Sequence, residues 1–243
     1  MFYKLPARSG PIRGLRKTQF FAMHLNTVIF DMDGLLIDSE PLWQRAAAEA
    51  LARFDIRLTD EQYHQTTGLG TRQFVEKFMA PLSPTEQLLS ITENEIVSNV
   101  IGMVRNEAQP MPGVPEIFKL FKSKNFKIGL ATSSPFALIR VVTEKLGIQE
   151  SLSAISSGNE LPFGKPHPQV FLNCAEELDS SPLHCICFED SFNGMIAAKA
   201  ARMTCVVVPA PAQRDHGRWD AADKKLNSLL EFNGDLLIEL GGK

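Results

Sequence analysis

The sequence predicts an α/β protein, with a doubly wound, Rossmann-like parallel sheet as its core and a small α-helical cap domain inserted after the first strand. Three observations lead to this prediction. Short apolar runs alternate with helical patterns along most of the chain, which is typical of a parallel sheet covered by helices. A mostly helical block separates the first apolar run from the others. Polar side chains directly follow several runs, as they do at the ligand-binding edge of such sheets.

The composition is that of an ordinary globular protein and makes several classes of function improbable. Of the 243 residues, 44% are hydrophobic and 22% charged, which is enough for a sizeable core. The net charge of −3 gives no reason to expect nucleic acid, and no apolar run reaches the roughly 18 residues that a membrane helix needs. We therefore expect a cytoplasmic monomer that binds neither nucleic acid nor membranes.

The four cysteines all lie in or beside apolar runs in the second half of the chain. They are Cys174, Cys185, Cys187 and Cys205. This placement favours buried thiols in a reducing compartment over disulfides or metal ligands.

Three regions differ in sequence character and define the predicted domains. Residues 1–22 contain five basic residues and no acid, with several prolines and glycines. We expect this stretch to be a disordered basic extension, with Met23 opening the compact domain. Residues 23–39 and 107–243 are predicted to form the sheet-containing core, and residues 40–106 the helical cap.

The first predicted strand, from Leu25 to Phe30, ends in Asp31-Met32-Asp33-Gly34. Side chains at positions i and i+2 of an extended chain point the same way, so Asp31 and Asp33 project together. Two like charges held this close are costly unless a cation or a shared proton relieves them. Carboxylate oxygens suit a hard cation, and the pair therefore predicts a Mg²⁺ site at this strand end.

The block after the first strand carries helical patterns and no convincing strand. Ser39, followed by Pro41, is typical of a helix start, with the serine as the cap. The stretch Gly68–Arg72 indicates a break between helices. Helices are predicted over residues 42–54, 73–79 and 84–105.

From a hinge at residues 111–115 onward, strands and helices alternate. Strands are predicted at residues 127–131, 152–156, 185–188 and 204–208, with a short strand at 224–226. Helices are predicted up to residue 124 and over residues 136–146, 168–178 and 192–201, with a closing helical segment. Gly147 is suited to the carboxyl cap of the helix before it.

Polar residues follow the later strands as well. Thr132 and Ser133 end the second strand, Glu189 and Asp190 end the fourth, and Lys165 lies in the loop after the third. The ends of parallel strands converge at one edge, so these groups are expected to meet. Carboxylates, hydroxyls, backbone donors and one cation together suit a phosphate group. Alternatively, Thr132 and Ser133 could simply cap the next helix.

These stretches resemble a known family. In this order, Asp31-Met32-Asp33-Gly34, Thr132-Ser133, Lys165-Pro166 and Glu189-Asp190 look like the four motifs of the haloacid dehalogenase-like superfamily. The resemblance covers about residues 25–230, and the helical block is similar to that family's small cap. More narrowly, Asp-Gly-Leu-Leu-Ile-Asp-Ser-Glu-Pro-Leu-Trp and Lys-Pro-His-Pro-Gln-Val-Phe look like hexitol and 2-deoxyglucose-6-phosphate phosphatases, which are relatives of β-phosphoglucomutase.

The resemblance implies a Mg²⁺-dependent phosphatase that hydrolyses hexose or hexitol monophosphates through an aspartyl phosphate. Asp31 would be the nucleophile, and Asp33 the general acid that later acts as base. Mg²⁺ would bind Asp31, the backbone carbonyl of Asp33, and Asp190. Glu189 would lie in an outer position or bind through water.

The resemblance also assigns the groups that contact the substrate. The phosphate would bind the Thr132 hydroxyl, the Ser133 backbone N–H and the Lys165 ammonium. The cap would select the rest of a small phosphorylated metabolite. Its candidate residues are Glu40, Trp43 and Arg72. Arg72 could equally be a surface arginine, and Trp43 could be a core residue.

Two other functions remain open from the sequence. A β-phosphoglucomutase-type mutase needs a site for a distal phosphate, for which these enzymes carry a polar residue shortly after the second motif. This chain has Ser134 there but then Pro135 and Phe136, which favours hydrolysis. A non-catalytic sugar-phosphate sensor is disfavoured because every catalytic position of the motifs is present.

Overall fold

Residues 24–241 are described by a computed structural model, and their strands form one fully parallel sheet. The strand order is β3-β2-β1-β4-β5-β6. The strands are β1 (Thr27–Phe30), β2 (Lys127–Thr132), β3 (Ala154–Ser157), β4 (Cys185–Glu189), β5 (Thr204–Val207) and β6 (Lys224–Lys225). The predicted doubly wound parallel sheet is thereby confirmed. The predictions for residues 1–22 and for Met23 lie outside the described residues.

Strand β1 lies in the middle of the sheet and is paired on both sides. Its last residue, Phe30, is in register with Leu130 of β2 and with Phe188 of β4. All four residues of β1 are buried. A central parallel strand is covered on both faces, which explains its uninterrupted apolar sequence. The residue after it, Asp31, therefore emerges at the centre of the sheet's carboxyl edge.

Between β1 and the rest of the sheet, the described chain forms helices and no strand of the sheet. These helices are α1 (Glu40–Ala52), α2 (Asp60–His64), α3 (Thr71–Met79) and α4 (Glu86–Asn106). The helical character predicted for residues 40–106 is confirmed, and we call this range the insertion. Its assignment as a separate domain stays a prediction.

Helix α2 is a feature that the sequence analysis misses. It is five residues long and has no buried residue, so it shows no apolar period. Its signal is a capping box, in which the Thr59 hydroxyl accepts from the Gln62 N–H and the Gln62 side chain accepts from the Thr59 N–H. None of the helices of the described chain is both long and apolar enough to cross a lipid bilayer.

The remaining helices pack on the two faces of the sheet. They are α5 (Val114–Ser123), α6 (Phe136–Leu146), α7 (Gln169–Glu177), α8 (Phe192–Ala200) and α9 (Gly234–Glu239). Ile29 and Phe30 point to opposite faces and belong to two separate apolar clusters. All four cysteines are buried and free, and lie on or beside the sheet, which confirms the prediction of core thiols.

The chain turns sharply into α5 at Gly113, which has a φ of +96°. A Cβ atom at this position would lie 2.5 Å from the backbone nitrogen of Leu230. We expect Gly113→Ala to lower the free energy of unfolding by at least about 2 kcal/mol, because the backbone is strained and also has no room for the methyl group. Urea denaturation measures the change.

The matched control for this prediction is Gly102→Ala in helix α4. A Cβ atom there would meet no neighbour within 4 Å. Since alanine favours a helix interior over glycine, this variant should be more stable than the parent by about 0.5–1 kcal/mol. Equal unfolding midpoints for the two variants would contradict the argument.

Candidate active site

Polar side chains from the carboxyl ends of β1, β2 and β4 line a cavity of about 350 Å³, which residues of the insertion also line. The core contributes seven lining residues with polar side chains: Asp31, Asp33, Asp38, Thr132, Ser133, Ser134 and Asp190. The predicted convergence of the strand ends is therefore observed. Lys165 lies directly beneath, bonded to Asp31.

Lys165 is the buried cation of the site. Its Nζ donates to Asp31 Oδ1 and to Glu189 Oε1, each at 2.5 Å, and to the carbonyl oxygen of Ala131 at 3.1 Å. All three ammonium donors thus have partners. Burial alone would lower the pKa of Lys165, but the charges of Asp31 and Glu189 outweigh it and raise the pKa instead. The ammonium stays protonated.

Three buried carboxylates form a cluster around this cation. Asp31, Glu189 and Asp190 each offer an oxygen within 4.8 Å of the others. Burial raises the pKa of Asp31 well above its usual value, against the opposing charge of Lys165. Burial, and then the charge of Asp31, likewise raises the pKa of Asp190. One lysine does not balance three carboxylates, so this all-oxygen donor set fits a divalent cation such as Mg²⁺.

The carboxylate of Asp33 makes its contacts with hydroxyl and indole donors. Its Oδ1 accepts from Ser39 Oγ at 2.7 Å and from Trp43 Nε1 at 2.9 Å. Its Oδ2 accepts from Ser134 Oγ at 2.6 Å and more weakly from Thr132 Oγ1 at 3.5 Å. The two aspartates that follow β1 therefore have separate environments. Asp31 is paired with a cation, whereas Asp33 is held by neutral donors.

The two capping predictions have different outcomes. Ser39 is the N-cap residue of α1, as predicted, but its side chain donates to Asp33 and makes no capping bond. Helix α6 has Pro135 at its N-cap and no side-chain cap. Thr132 and Ser133 therefore do not cap α6.

Glu189 is oriented by hydrogen bonds on both oxygens. While Oε1 accepts from Lys165, Oε2 accepts from the N–H and the hydroxyl of Ser191, at 3.1 and 3.0 Å. Gly194 leaves room for this carboxylate, since a Cβ atom there would lie 1.9 Å from Oε1. With its oxygens engaged in this way, Glu189 is placed to orient Lys165. Its role outside the direct metal ligands stays a prediction.

The insertion contacts the strand ends through the loop between α2 and α3. Ser133 Oγ donates to the carbonyl oxygen of Gly68 at 2.7 Å, and Asn193 Nδ2 donates to that of Thr67 at 2.9 Å. These bonds hold the loop over the cavity. The sequence analysis does not identify Asn193, because a single amide at the start of a helix has no distinguishing pattern.

The predicted cap residues divide into two groups. Glu40 and Trp43 line the cavity. Burial, and then the nearby charge of Asp33, raises the pKa of Glu40 to about 7. Arg72 is not brought to the cavity, because its guanidinium pairs with Glu76 at 2.7 Å and with Glu86 at 2.5 Å.

Residues 25–202 match the family described as haloacid dehalogenase-like hydrolase. The chain belongs to this family. It is 40% identical to hexitol phosphatase B of Escherichia coli K12 over 211 residues, which cover 86% of this chain and 95% of that protein. It is also 30% identical to a phosphorylated carbohydrates phosphatase of Thermotoga maritima over 179 residues, covering 73% and 82% of the two chains. The predicted family and the predicted enzyme class, a phosphatase, are confirmed.

Solved structures of other proteins share the fold. A β-phosphoglucomutase from Clostridium difficile superposes with a TM-score of 0.79 at 23% identity, covering 89% of this chain and 96% of that one. A variant of CbbY from Rhodobacter sphaeroides, solved in complex with xylulose 1,5-bisphosphate, superposes with a TM-score of 0.76 at 24% identity. The superposed part covers 85% of this chain and 96% of the CbbY chain. Likenesses at this level of identity establish the fold alone.

The Lys165 pairing predicts a pH-dependent loss of stability in Lys165→Met. Removing the ammonium leaves Asp31 and Glu189 buried without their cation, which should lower the free energy of unfolding by about 3–5 kcal/mol near neutral pH. The pKa of Asp31 would rise further, so the folded state would bind a proton that the unfolded chain releases. The loss should therefore shrink as the pH falls from about 8 to about 5 in metal-free buffer.

The matched control is Lys199→Met, which removes a partly exposed ion pair with Asp223 at 2.5 Å. Such pairs contribute at most about 1 kcal/mol, with little dependence on pH in this range. Urea unfolding of both variants at the two pH values measures the difference. A Lys165→Met variant no less stable than Lys199→Met would refute the assigned role of the buried lysine.

Proposed function

We propose that this protein is a Mg²⁺-dependent phosphatase of hexose or hexitol monophosphates that works through a phosphorylated Asp31. The observation that carries the proposal is the separation of the two aspartates after β1. Asp31 pairs with Lys165 in a buried carboxylate cluster, while Asp33 faces the same cavity on neutral donors. This arrangement suits one nucleophile and one proton-transfer group. The sugar-phosphate substrate class is supported by the names of the two phosphatase relatives.

Asp31 attacks phosphorus in this proposal and expels the sugar alcohol. Lys165 donates to Asp31 in the free protein, so its charge is already beside the oxygens of the transferring phosphoryl group. A Mg²⁺ ion held by Asp31, the backbone carbonyl of Asp33, and Asp190 would offset the repulsion between carboxylates and phosphate. The Thr132 hydroxyl and the Ser133 N–H bind the remaining phosphoryl oxygens.

Asp33 transfers the protons. It donates one to the leaving alkoxide and then takes one from the water that hydrolyses the phosphorylated Asp31. Ser39, Trp43 and Ser134 keep its carboxyl group directed at the cavity. Because Ser134 is engaged by Asp33, it is less available as a ligand for a distal phosphate, and this favours hydrolysis over a mutase reaction.

Asp31→Asn tests the covalent mechanism. We expect the parent protein to release phosphate from hexitol and hexose monophosphates when Mg²⁺ is present. In Asp31→Asn, kcat should be at least about 1,000-fold lower, because the amide cannot attack phosphorus. The control is Asp215→Asn, at an exposed aspartate that is not among the lining residues of the cavity, and it should retain full activity. Turnover that survives Asp31→Asn would exclude the phosphorylated aspartate. Formation of hexose 6-phosphate from hexose 1-phosphate, without release of phosphate, would identify a mutase. Binding of sugar phosphates without any turnover would identify a sensor.

Asp190→Asn tests the metal site separately from folding. The Mg²⁺ concentration for half-maximal activity should rise at least about 10-fold, because a charged ligand is lost. In metal-free buffer the free energy of unfolding should stay constant or rise near neutral pH, since burial disfavours the charged form of Asp190. A destabilised variant with an unchanged Mg²⁺ requirement would show that Asp190 has a structural role instead.

A further inference from the structure

We propose that the outer part of the cavity, formed by the insertion, binds an uncharged polyhydroxyl chain and rejects a second phosphate group, and that Glu40 imposes this selectivity. The inference rests on the proposed phosphatase function and adds the chemical class of substrate that the site accepts. Its observations are the charges that line the cavity, the free hydrogen-bonding groups of the insertion, and the position of Glu40.

Among the described residues, acidic side chains line the cavity, and no lysine or arginine side chain lines it with them. Five carboxylates line it: Asp31, Asp33, Asp38, Glu40 and Asp190. Lys165 lies at the inner end, where it pairs with Asp31, and can serve one phosphate there. A second phosphate in the same cavity would face Asp38 and Glu40, without a lysine or arginine among the described lining residues to balance its charge.

Glu40 lies between the reacting groups and the insertion. It is the first residue of α1, and a Cβ atom on Gly34 would come within 3.1 Å of its Cγ, so it lies against the turn that follows Asp31. Its Oε2 accepts a hydrogen bond from Thr67 at 3.3 Å. Residues 24–241 offer no hydrogen-bond donor to its Oε1. That oxygen is free to accept a bond from a substrate hydroxyl, and the same charge repels phosphate.

The rest of the outer lining suits a sugar chain. Trp43, Tyr63 and Phe74 present apolar surfaces to the cavity, against which C–H groups can pack. The side chains of His64 and Thr71 also line it and form no hydrogen bond with other described residues, which leaves them available to hydroxyls. The cavity volume of about 350 Å³ is near the lower end of the range of roughly 300–1,000 Å³ for small-molecule sites. One short polyol chain is thus the fitting occupant.

The experiment compares two substrates that differ by a single group, a hexitol 6-phosphate and the corresponding hexitol 1,6-bisphosphate. At about pH 8, which lies above the raised pKa of about 7 of Glu40, and with Mg²⁺ present, kcat/KM should be at least about 100-fold lower for the bisphosphate. Glu40→Gln removes the repelling charge and keeps a hydrogen-bond acceptor. This variant should therefore lower the ratio of kcat/KM for the monophosphate to kcat/KM for the bisphosphate by at least about 10-fold.

Glu49→Gln is the matched control, because it makes the same charge change at an exposed position of the same helix. It should leave the ratio unchanged. Equal kcat/KM values for the monophosphate and the bisphosphate would overturn the inference without affecting the phosphatase function. An equal change of the kcat/KM ratio in Glu40→Gln and Glu49→Gln would overturn it as well. Bisphosphate turnover that is lost in His64→Ala also overturns it, because His64 would then serve as the missing cation.

Failure of the proposed function would appear differently, as absence of phosphate release from both compounds. In that case the selectivity is measured by calorimetry, as Mg²⁺-dependent binding of the same two compounds. Preference for the monophosphate by at least about 100-fold in affinity, reduced in Glu40→Gln and unchanged in Glu49→Gln, upholds the inference. Equal affinities overturn it.

Discussion

The ion pairs of Lys165 are the interaction on which the rest of the site depends. An ammonium and two carboxylates, from Asp31 and Glu189, are withdrawn from water together, and each is costly to bury alone. The backbone carbonyl of Ala131 takes the last donor, so the cation joins three separate segments of the core. This arrangement keeps charge at the sheet edge at the expense of stability, as catalytic sites commonly do.

The topology of the sheet explains why such a cluster can form. Strand β1 lies between β2 and β4, so the residues that follow these three strands are neighbours in space although they are distant in the chain. Asp31, Thr132 and Asp190 follow or end these strands, and their side chains all line the cavity. Lys165, Asp31 and Glu189 are buried at this edge, which strengthens the charge interactions among them.

The insertion contacts Asp33 as well as forming part of the cavity wall. The Asp33 carboxylate is held from the core by Ser134 and from the start of the insertion by Trp43 of α1. The same helix begins with Glu40, which also lines the cavity. Helix α1 therefore carries both a group that holds Asp33, the proposed proton-transfer residue, and Glu40, which we propose to contact the substrate. A movement of α1 would change both at once.

The sequence by itself determined the sheet, most of the helices and the four polar segments at its edge. It could do so because strand and helix periods, and the i, i+2 spacing of Asp31 and Asp33, are local properties of the chain. Only the tertiary structure decided the partners of individual side chains. Trp43, which could have been a core residue, donates to Asp33, and Arg72 pairs with acids of the insertion. A polar side chain bonds to whichever group folding brings within reach, and local pattern does not specify that group.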